Sequence, residues 1–151
     1  TIAKGEEELG KLEFELYENK APVTVATSEH WSQVEDIGKS YKDTPFHRII
    51  DGFIAQSGDI CYGDGTGGQS AEGGRFNDEN LTLKHHKRGL LTMSNSGQHS
   101  NTSFSESLLE EHLGLTDLAS VWRISIWRRG AVKIEALGTR KGQPTSKVVI
   151  K

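Results

Sequence analysis

The stretch Tyr41-Lys-Asp-Thr-Pro-Phe-His-Arg-Ile-Ile-Asp-Gly-Phe-Ile-Ala-Gln-Ser-Gly-Asp59 contains two short apolar runs separated by an Asp-Gly pair. Asp-Gly between two apolar runs is typical of a tight turn between antiparallel strands. We therefore predict strands over residues 46–50 and 53–56. Side chains alternate between the two faces of a strand, so in the first strand Phe46, Arg48 and Ile50 should lie on one face and His47 and Ile49 on the other.

Further strands are predicted on both sides of this hairpin. Residues 11–17 alternate, so the apolar side chains Leu12, Phe14 and Leu16 should point inward and the glutamates between them outward. Short apolar runs predict strands at residues 90–93 and 147–150. The chain is thus expected to be mostly β.

Two segments have the pattern of helices. The first covers residues 22–37 and is opened by Pro22 and Thr24, since proline is favoured in the first helical turn. The second covers residues 131–137. No repeat, linker or low-complexity block divides the chain, so residues 1–151 are expected to form a single domain around one core.

Net charge and cysteine content indicate which kinds of partner and which compartment suit this chain. The net charge of −3 favours neither a nucleic-acid nor a membrane partner. Cys61 is the only cysteine, which excludes an internal disulfide and favours a reducing, cytoplasmic compartment. The first twenty residues lack an apolar run long enough for a signal peptide, although a processed leader is compatible with this sequence. We expect a monomer.

The hairpin sequence closely resembles the signature of the cyclophilins. The resemblance continues in five downstream motifs and covers most of residues 10 to 101 before it resumes near residue 134. These motifs are Gly63-Asp-Gly-Thr-Gly-Gly-Gln-Ser70, Phe76-Asn-Asp-Glu-Asn80, Leu83-Lys-His85, Leu91-Thr-Met-Ser-Asn95 and Ile134-Glu-Ala-Leu-Gly138.

The resemblance implies a fold and an activity. The fold is a closed eight-stranded antiparallel β-barrel capped by two α-helices. The activity is peptidyl-prolyl cis-trans isomerisation, which assists protein folding. The implied partners are proline-containing peptides and proteins and cyclosporin-type cyclic peptides. No cofactor or metal is implied.

The chemistry of this reaction accounts for the residues of the hairpin. Rotation about an X-Pro bond faces a barrier of about 18 to 20 kcal/mol because amide resonance must be broken. A pocket that grips the proline ring, and a cation that hydrogen-bonds the prolyl nitrogen as it becomes pyramidal, would stabilise the twisted state. Phe53 and Ile54 suit the pocket and Arg48 suits the cation. Gln56 could hold the substrate carbonyl or orient Arg48.

The resemblance extends the site beyond the hairpin. Asn95 joins Arg48, Phe53 and Gln56 as a catalytic residue, and the implied substrate-binding residues are Ile54, Gly65, Ser94, His112 and Leu113. His112 stands where other family members carry tryptophan, so weaker cyclosporin binding is expected. The structural alternatives are a salt bridge at a barrel rim for Arg48 and an ordinary polar rim residue for Gln56.

Other chemistry-bearing patterns have structural interpretations. The glycines of residues 63–68 lack the lysine of a P-loop, so we interpret the segment as a loop beside the substrate groove. His85 and His86 are adjacent and do not offer the geometry of a helical metal pair, so we expect them to be solvated. Cys61 has no base in a recognisable motif and is expected to be a passive thiol.

The resemblance fails between residues 102 and 132. Glu106 falls where the family has a pocket phenylalanine, and a carboxylate there would be costly unless protonated or paired. Residues 26–32, 103–108 and 118–122 can each be encoded, by a suitable choice of synonymous codons, so that the neighbouring reading frame of the same DNA encodes a segment similar to the family. We therefore favour the hypothesis that the printed residues in these segments come from a shifted reading frame. The alternative is a diverged paralogue that binds proline peptides or a protein partner with weakened catalysis.

Overall fold

The computed structural model describes residues 1–35, 39–82, 85, 88–108, 121–126 and 130–151, with the backbone alone for residues 106–108 and 121–126. Within these residues the chain forms nine strands and two helices. In chain order they are β1 (Ile2–Lys4), β2 (Glu7–Gly10), β3 (Glu13–Glu15), α1 (Pro22–Gln33), β4 (Arg48–Ile50), β5 (Ile54–Ser57), β6 (Leu90–Met93), β7 (Ser105–Leu108), β8 (Val121–Ile126), α2 (Gly130–Glu135) and β9 (Val149–Ile150).

The strands form two antiparallel sheets. One sheet has the order β2-β1-β9 and the other the order β3-β8-β6-β7-β5-β4. The predicted mostly-β class with two helices is therefore confirmed. The predicted closure into one eight-stranded barrel stays a prediction, since the ladders among the described residues define two separate sheets.

Backbone hydrogen bonds also link the two sheets outside these ladders. The Phe46 N–H donates to the Val148 carbonyl at 2.9 Å, and the Ile150 N–H donates to the Thr44 carbonyl at 3.0 Å. Pro45 forms an isolated bridge with Val149. The segment that leads into β4 thus lies beside β9.

The predicted central hairpin is present, with shifted bounds. Arg48 pairs with Gln56 and Ile50 pairs with Ile54, and the turn between the strands contains Gly52 at a φ of 67°. The positive φ explains the glycine. Phe46 lies before the first strand and packs in the same core cluster as Ile49. Its predicted position on the Arg48 face is therefore wrong, because the alternation does not extend back beyond β4.

Helix α1 is shorter than predicted and is capped by a distant residue. It ends at Gln33, and Val34 has extended dihedral angles, so the prediction to residue 37 is too long. Its Ala21 N-cap provides no side-chain hydrogen bond. Glu79 instead accepts the N–H groups of Val23 at 2.9 Å and Thr24 at 2.7 Å, which are donors that a helix leaves unsatisfied at its first turn.

The main core lies between the two sheets and α2. Ile49 and Val148 are both fully buried at 0% exposure. The cluster draws on both sheets and on α2, and its buried members are Ile2, Leu9, Phe46, Ile49, Ala55, Ile134 and Val148. Leu12 packs against it, whereas Phe14 is 36% exposed. Phe14, which was predicted to point inward, is therefore not packed in this cluster.

Candidate functional site

A chain of side-chain hydrogen bonds joins β4, β5 and the residue that follows β6 on one face of the larger sheet. The Arg48 guanidinium donates from Nη1 to Gln56 Oε1 at 3.1 Å, and Gln56 Nε2 donates to Ser94 Oγ at 2.9 Å. Because its amide accepts at one end and donates at the other, Gln56 is held in one orientation. The chain holds Arg48, which is solvent-exposed, at a defined place on the sheet surface.

Apolar side chains lie on the same face as this chain. The register pairs Arg48 with Gln56 and Ile50 with Ile54, and residues two apart on a strand share a face. Ile54 forms a buried cluster with Leu90, against which Phe53 and Ile50 pack. Ile54 is only 2% exposed, so it supports Phe53 from beneath. The hairpin thus places Arg48, Gln56 and the Phe53 cluster on one side of the sheet.

Asn95 follows Ser94 directly after β6 and is half-buried. Its Oδ1 accepts the Gly97 N–H at 3.2 Å. Among the described residues its buried Nδ2 has no hydrogen-bond partner. An unmet amide donor of this kind costs about 1–3 kcal/mol.

The glycine-rich loop is organised by one carboxylate. Asp59 is 2% exposed and accepts five backbone N–H groups, at distances from 2.8 to 3.2 Å, from Cys61, Tyr62, Asp64, Gly65 and Gly67. A Cβ on Gly65 would lie 2.8 Å from Cδ2 of His47, the residue before Arg48. Gly65 is thus fixed against the start of β4 and leaves no room for a side chain.

These contacts also set the charges near the site. Burial acts to raise the pKa of Asp59, but the hydrogen bonds from the loop N–H groups outweigh it and hold that pKa well below its ordinary value. Burial lowers the pKa of His47, against the opposing effect of the Asp59 and Asp64 charges. Near pH 7 the Arg48 cation is therefore preceded in the chain by a neutral imidazole.

Gly142 is a neighbour of Arg48 that the sequence did not reveal. It has a φ of 87°, and a Cβ built on it would lie 3.0 Å from Cγ and 3.3 Å from Nε of Arg48. Its carbonyl accepts the Ile49 N–H at 2.9 Å. The bare Gly142 backbone therefore lies against the arginine stem. The Gly-Gln-Pro sequence at this point indicates a turn, but nothing in it points to Arg48.

The remaining predicted residues have different outcomes. Residue 106 is the backbone partner of both Gln56 and Thr92, so the departure from the family pattern falls on the strand beside the hydrogen-bonded chain. His112 and Leu113 lie outside the described residues, as does His86. His85 is buried at 1% exposure, so the expectation that it is solvated is wrong.

Searches for a metal centre and for a membrane span gave no candidate in the parts of the chain that the structure describes. Those residues contain no cluster of three or more His, Cys, Asp or Glu side chains placed to hold a metal ion. No helix among them has both the length and the apolarity needed to cross a bilayer.

A comparison with protein families places most of the chain in a known family. The model described as "Cyclophilin type peptidyl-prolyl cis-trans isomerase/CLD" matches residues 2–106. This is more than two thirds of the 151-residue chain. The match includes the central hairpin, the Asp59 loop and the hydrogen bonds from Arg48 to Ser94. Gly142, α2 and β9 lie beyond it.

Proposed function

The chain belongs to the cyclophilin-type peptidyl-prolyl cis-trans isomerases, and we propose that Arg48, Phe53, Gln56 and Asn95 are the residues with which it catalyses rotation about X-Pro bonds. The observation that carries this proposal is the hydrogen-bonded chain from Arg48 through Gln56 to Ser94. It holds a cation on the sheet face where Phe53 packs.

Arg48 acts on the prolyl nitrogen. In the planar peptide the nitrogen lone pair is delocalised, whereas in the twisted peptide it is localised and accepts a hydrogen bond. The guanidinium has five N–H donors, and one of them is directed at Gln56. A contact made only in the twisted state lowers the barrier without tightening ground-state binding. No proton transfer is required.

Phe53 provides an apolar surface for the proline ring, with Ile54 beneath it. Asn95 is proposed to lie beside the substrate, and Gly65, Ser94, His112 and Leu113 are proposed to line the rest of the groove. Proline-containing peptides and exposed X-Pro bonds of proteins are the proposed substrates, and assistance to protein folding is the proposed role.

The test is turnover of an Ala-Pro peptide in a protease-coupled assay. We expect Arg48→Ala to lower kcat by about 10² to 10³, the loss typical of one donor that acts in the transition state, with little change in peptide affinity. Arg75→Ala is a matched control, since Arg75 is also exposed and, within the described part of the chain, forms no hydrogen bond or ion pair with the site residues. Wild-type turnover in Arg48→Ala would refute the assigned role.

A complementary test separates binding from catalysis. Phe53→Ala should weaken peptide binding by about 1–3 kcal/mol, because a partly buried aromatic surface for the proline ring is removed. Calorimetric titration of a proline peptide measures this loss. Unchanged affinity would place the proline ring elsewhere.

A proline-binding module with weakened catalysis is the second candidate. It is favoured by the position of residue 106, which pairs with Gln56 where the sequence leaves the family pattern. This candidate predicts peptide binding of ordinary strength with kcat already low in the wild-type chain. The same assay therefore distinguishes the two.

Cyclosporin binding is typical of the family, and we propose it for this chain. His112→Trp should strengthen the binding, because an indole adds an N–H donor and apolar area. Calorimetry on both forms tests this. Absence of binding by both would mean that the groove is not formed as proposed.

We also propose that the two sheets join into one closed barrel. Only two residues separate β2 from β3, and these strands pair with β1 and β8 respectively. If β2 and β3 are counted as one bent strand, the nine strands become eight. The segment at residues 44–46, which leads into β4 of the larger sheet, pairs with β9 of the smaller sheet. Slow amide exchange at Phe46 and Ile150 is the expected result.

We propose in addition that the protein is a monomer and that it works in a reducing, cytoplasmic compartment.

A further inference from the structure

A large cavity lies on the side of the sheets opposite to the proposed groove. Its volume is about 870 Å³, within the range of pockets that hold small organic molecules. The walls are mainly apolar and come from both sheets and the segment before β4, with Ile2, Leu12, Phe14, Leu16, Phe46 and Leu91 among them. The partial exposure of Phe14 is explained by this space.

Small polar residues occupy inward positions on three elements around the cavity. Ser28 on α1, Ser57 on β5 and Ser105 on β7 all line it. Interiors of small barrels are ordinarily filled by larger side chains, and eight-stranded barrels that are not filled hold a small ligand. Three serines facing one space leave that space open.

The polar side chains that are not exposed in the wall of the cavity are uncharged. Tyr41 donates to the Ser103 carbonyl at 3.0 Å and Ser57 donates to the Pro45 carbonyl at 3.0 Å. Burial raises the pKa of Tyr41 to about 12, with a smaller opposing effect of its hydrogen bond to Ser28, so its hydroxyl stays protonated near pH 7. Charged lining residues are all exposed, and they balance in sign as Glu29, Glu35, Lys42 and Lys151.

The cavity is separate from the site of isomerisation. Ala55 and Ser57 line it, whereas Ile54 and Gln56, which alternate with them on β5, belong to the opposite face. A ligand in the cavity would therefore lie behind the strand that carries Gln56. It would not compete with a proline peptide for Arg48 or Phe53.

We propose that this cavity is a binding site for a neutral, mainly apolar small molecule with one or two polar atoms. Apolar walls favour an apolar ligand. The balanced charges at the rim favour neither an anion nor a cation, and the serine hydroxyls can hydrogen-bond a ligand hydroxyl or carbonyl group.

Titration with Nile red, a neutral apolar fluorophore, tests this inference. We expect the wild-type chain to bind one equivalent with a Kd on the order of 10 µM or below. Ser28→Leu should weaken binding at least about tenfold because the added carbons occupy the cavity. Ala26→Leu is the matched control, since Ala26 is exposed on the same helix, and it should bind as the wild type does.

Further measurements distinguish a filled cavity from an unfolded variant and from dye binding at the proline site. Near-UV circular dichroism establishes that each variant is folded, and Ser105→Leu, which fills the cavity from β7, replaces Ser28→Leu if that variant is unfolded. Isomerase turnover should be unchanged in the folded cavity variants, and a saturating Ala-Pro peptide should not displace the dye. Absence of saturable binding, displacement by the peptide, or wild-type affinity in folded filled variants would overturn the proposal.

Discussion

At the scale of single residues, the orientation of Arg48 depends on neighbours from distant parts of the chain. Gln56 is its strand partner, so the hairpin alone determines that contact. Gly142 comes from the turn before β9 and contacts the arginine stem with bare backbone. The hairpin pattern could predict the first neighbour, because it is local. It could not predict the second, because that contact depends on how the turn packs onto β4.

Gly142→Ala should lower isomerase turnover. The new methyl group would meet Arg48 Cγ at 3.0 Å and strain a backbone with a φ of 87°. Gly73→Ala is the matched control, because Gly73 has a φ of 86° and nothing within 4 Å of a built Cβ. Both variants should lose about 1–2 kcal/mol of stability from the backbone. Only Gly142→Ala should also lose kcat, and equal kcat in both would exclude a positioning role for Gly142.

Asp59→Asn should destabilise the fold in a pH-dependent way. At pH 7 we expect a loss of about 2–4 kcal/mol, because a carboxylate that accepts several buried N–H groups becomes a weaker acceptor. The pKa of Asp59 lies below its ordinary value of 3.8 in the folded chain, so its contribution is present above about pH 3.8 and is lost as the pH falls below it.

Urea unfolding measured at pH values above and below about 3.8 checks the direction in which the stabilisation by Asp59 changes with pH. The difference between wild type and Asp59→Asn should shrink as the solution is acidified. Asp64→Asn is the control, since among the described residues the Asp64 carboxylate accepts hydrogen bonds only from exposed Thr66, and it should cost less than about 1 kcal/mol. A difference that grows at low pH would contradict the stabilisation of the Asp59 carboxylate.

At the scale of elements, helix α1 shows what local sequence signals can and cannot determine. Pro22 correctly indicated where the helix begins, because proline suits the first turn. The apolar pattern did not indicate its end at Gln33. Its cap could not be predicted either, since Glu79 lies 55 positions after Thr24 and the local Ala21 offers no side-chain acceptor.

Glu79→Ala should destabilise α1 by about 1–2 kcal/mol. The carboxylate accepts two backbone N–H groups and the Thr24 hydroxyl, and its charge lies at the positive end of the helix. Thermal unfolding and amide exchange at Val23 and Thr24 measure the loss. Glu72→Ala, at an exposed position in the same loop region, should change stability by less than about 0.5 kcal/mol. Unchanged exchange in Glu79→Ala would contradict the capping role.

At the scale of the whole molecule, the two sheets are coupled through one core. The main cluster contains Ile2 and Leu9 from the smaller sheet, and Ile49 and Ala55 from the larger one. A single domain was predicted from length and from the lack of linkers. The division into two sheets was not predictable, because the pairing of these strands depends on contacts far apart in sequence.

Ile49→Ala should destabilise both sheets together. Ile49 is fully buried, so we expect a loss of about 2–5 kcal/mol. Amide exchange should accelerate equally in β1 and β5. Val132→Ala, at a position that is 56% exposed, should cost less than about 0.5 kcal/mol. Acceleration confined to the larger sheet would mean that the sheets unfold independently.

Peptide masses should decide how residues 26–32 and 102–132 are to be read. A shifted reading predicts masses that differ from those of the printed sequence, whereas a diverged paralogue predicts agreement. Trp31 is buried and donates to the Gln69 carbonyl at 2.9 Å, so the printed residue is well accommodated in α1. Ser28 and Ser105 fall within these stretches, so a mass difference there would also remove the serines that open the cavity.

Strand β1 has a consequence for synthesis on the ribosome. It pairs on one side with β2, a few residues later, and on the other side with β9 at Val149–Ile150. While the nascent chain is being translated, that second edge has no partner and can pair with other chains. Ribosome-associated chaperones that shield strand edges would therefore be most useful to this protein until β9 emerges from the exit tunnel.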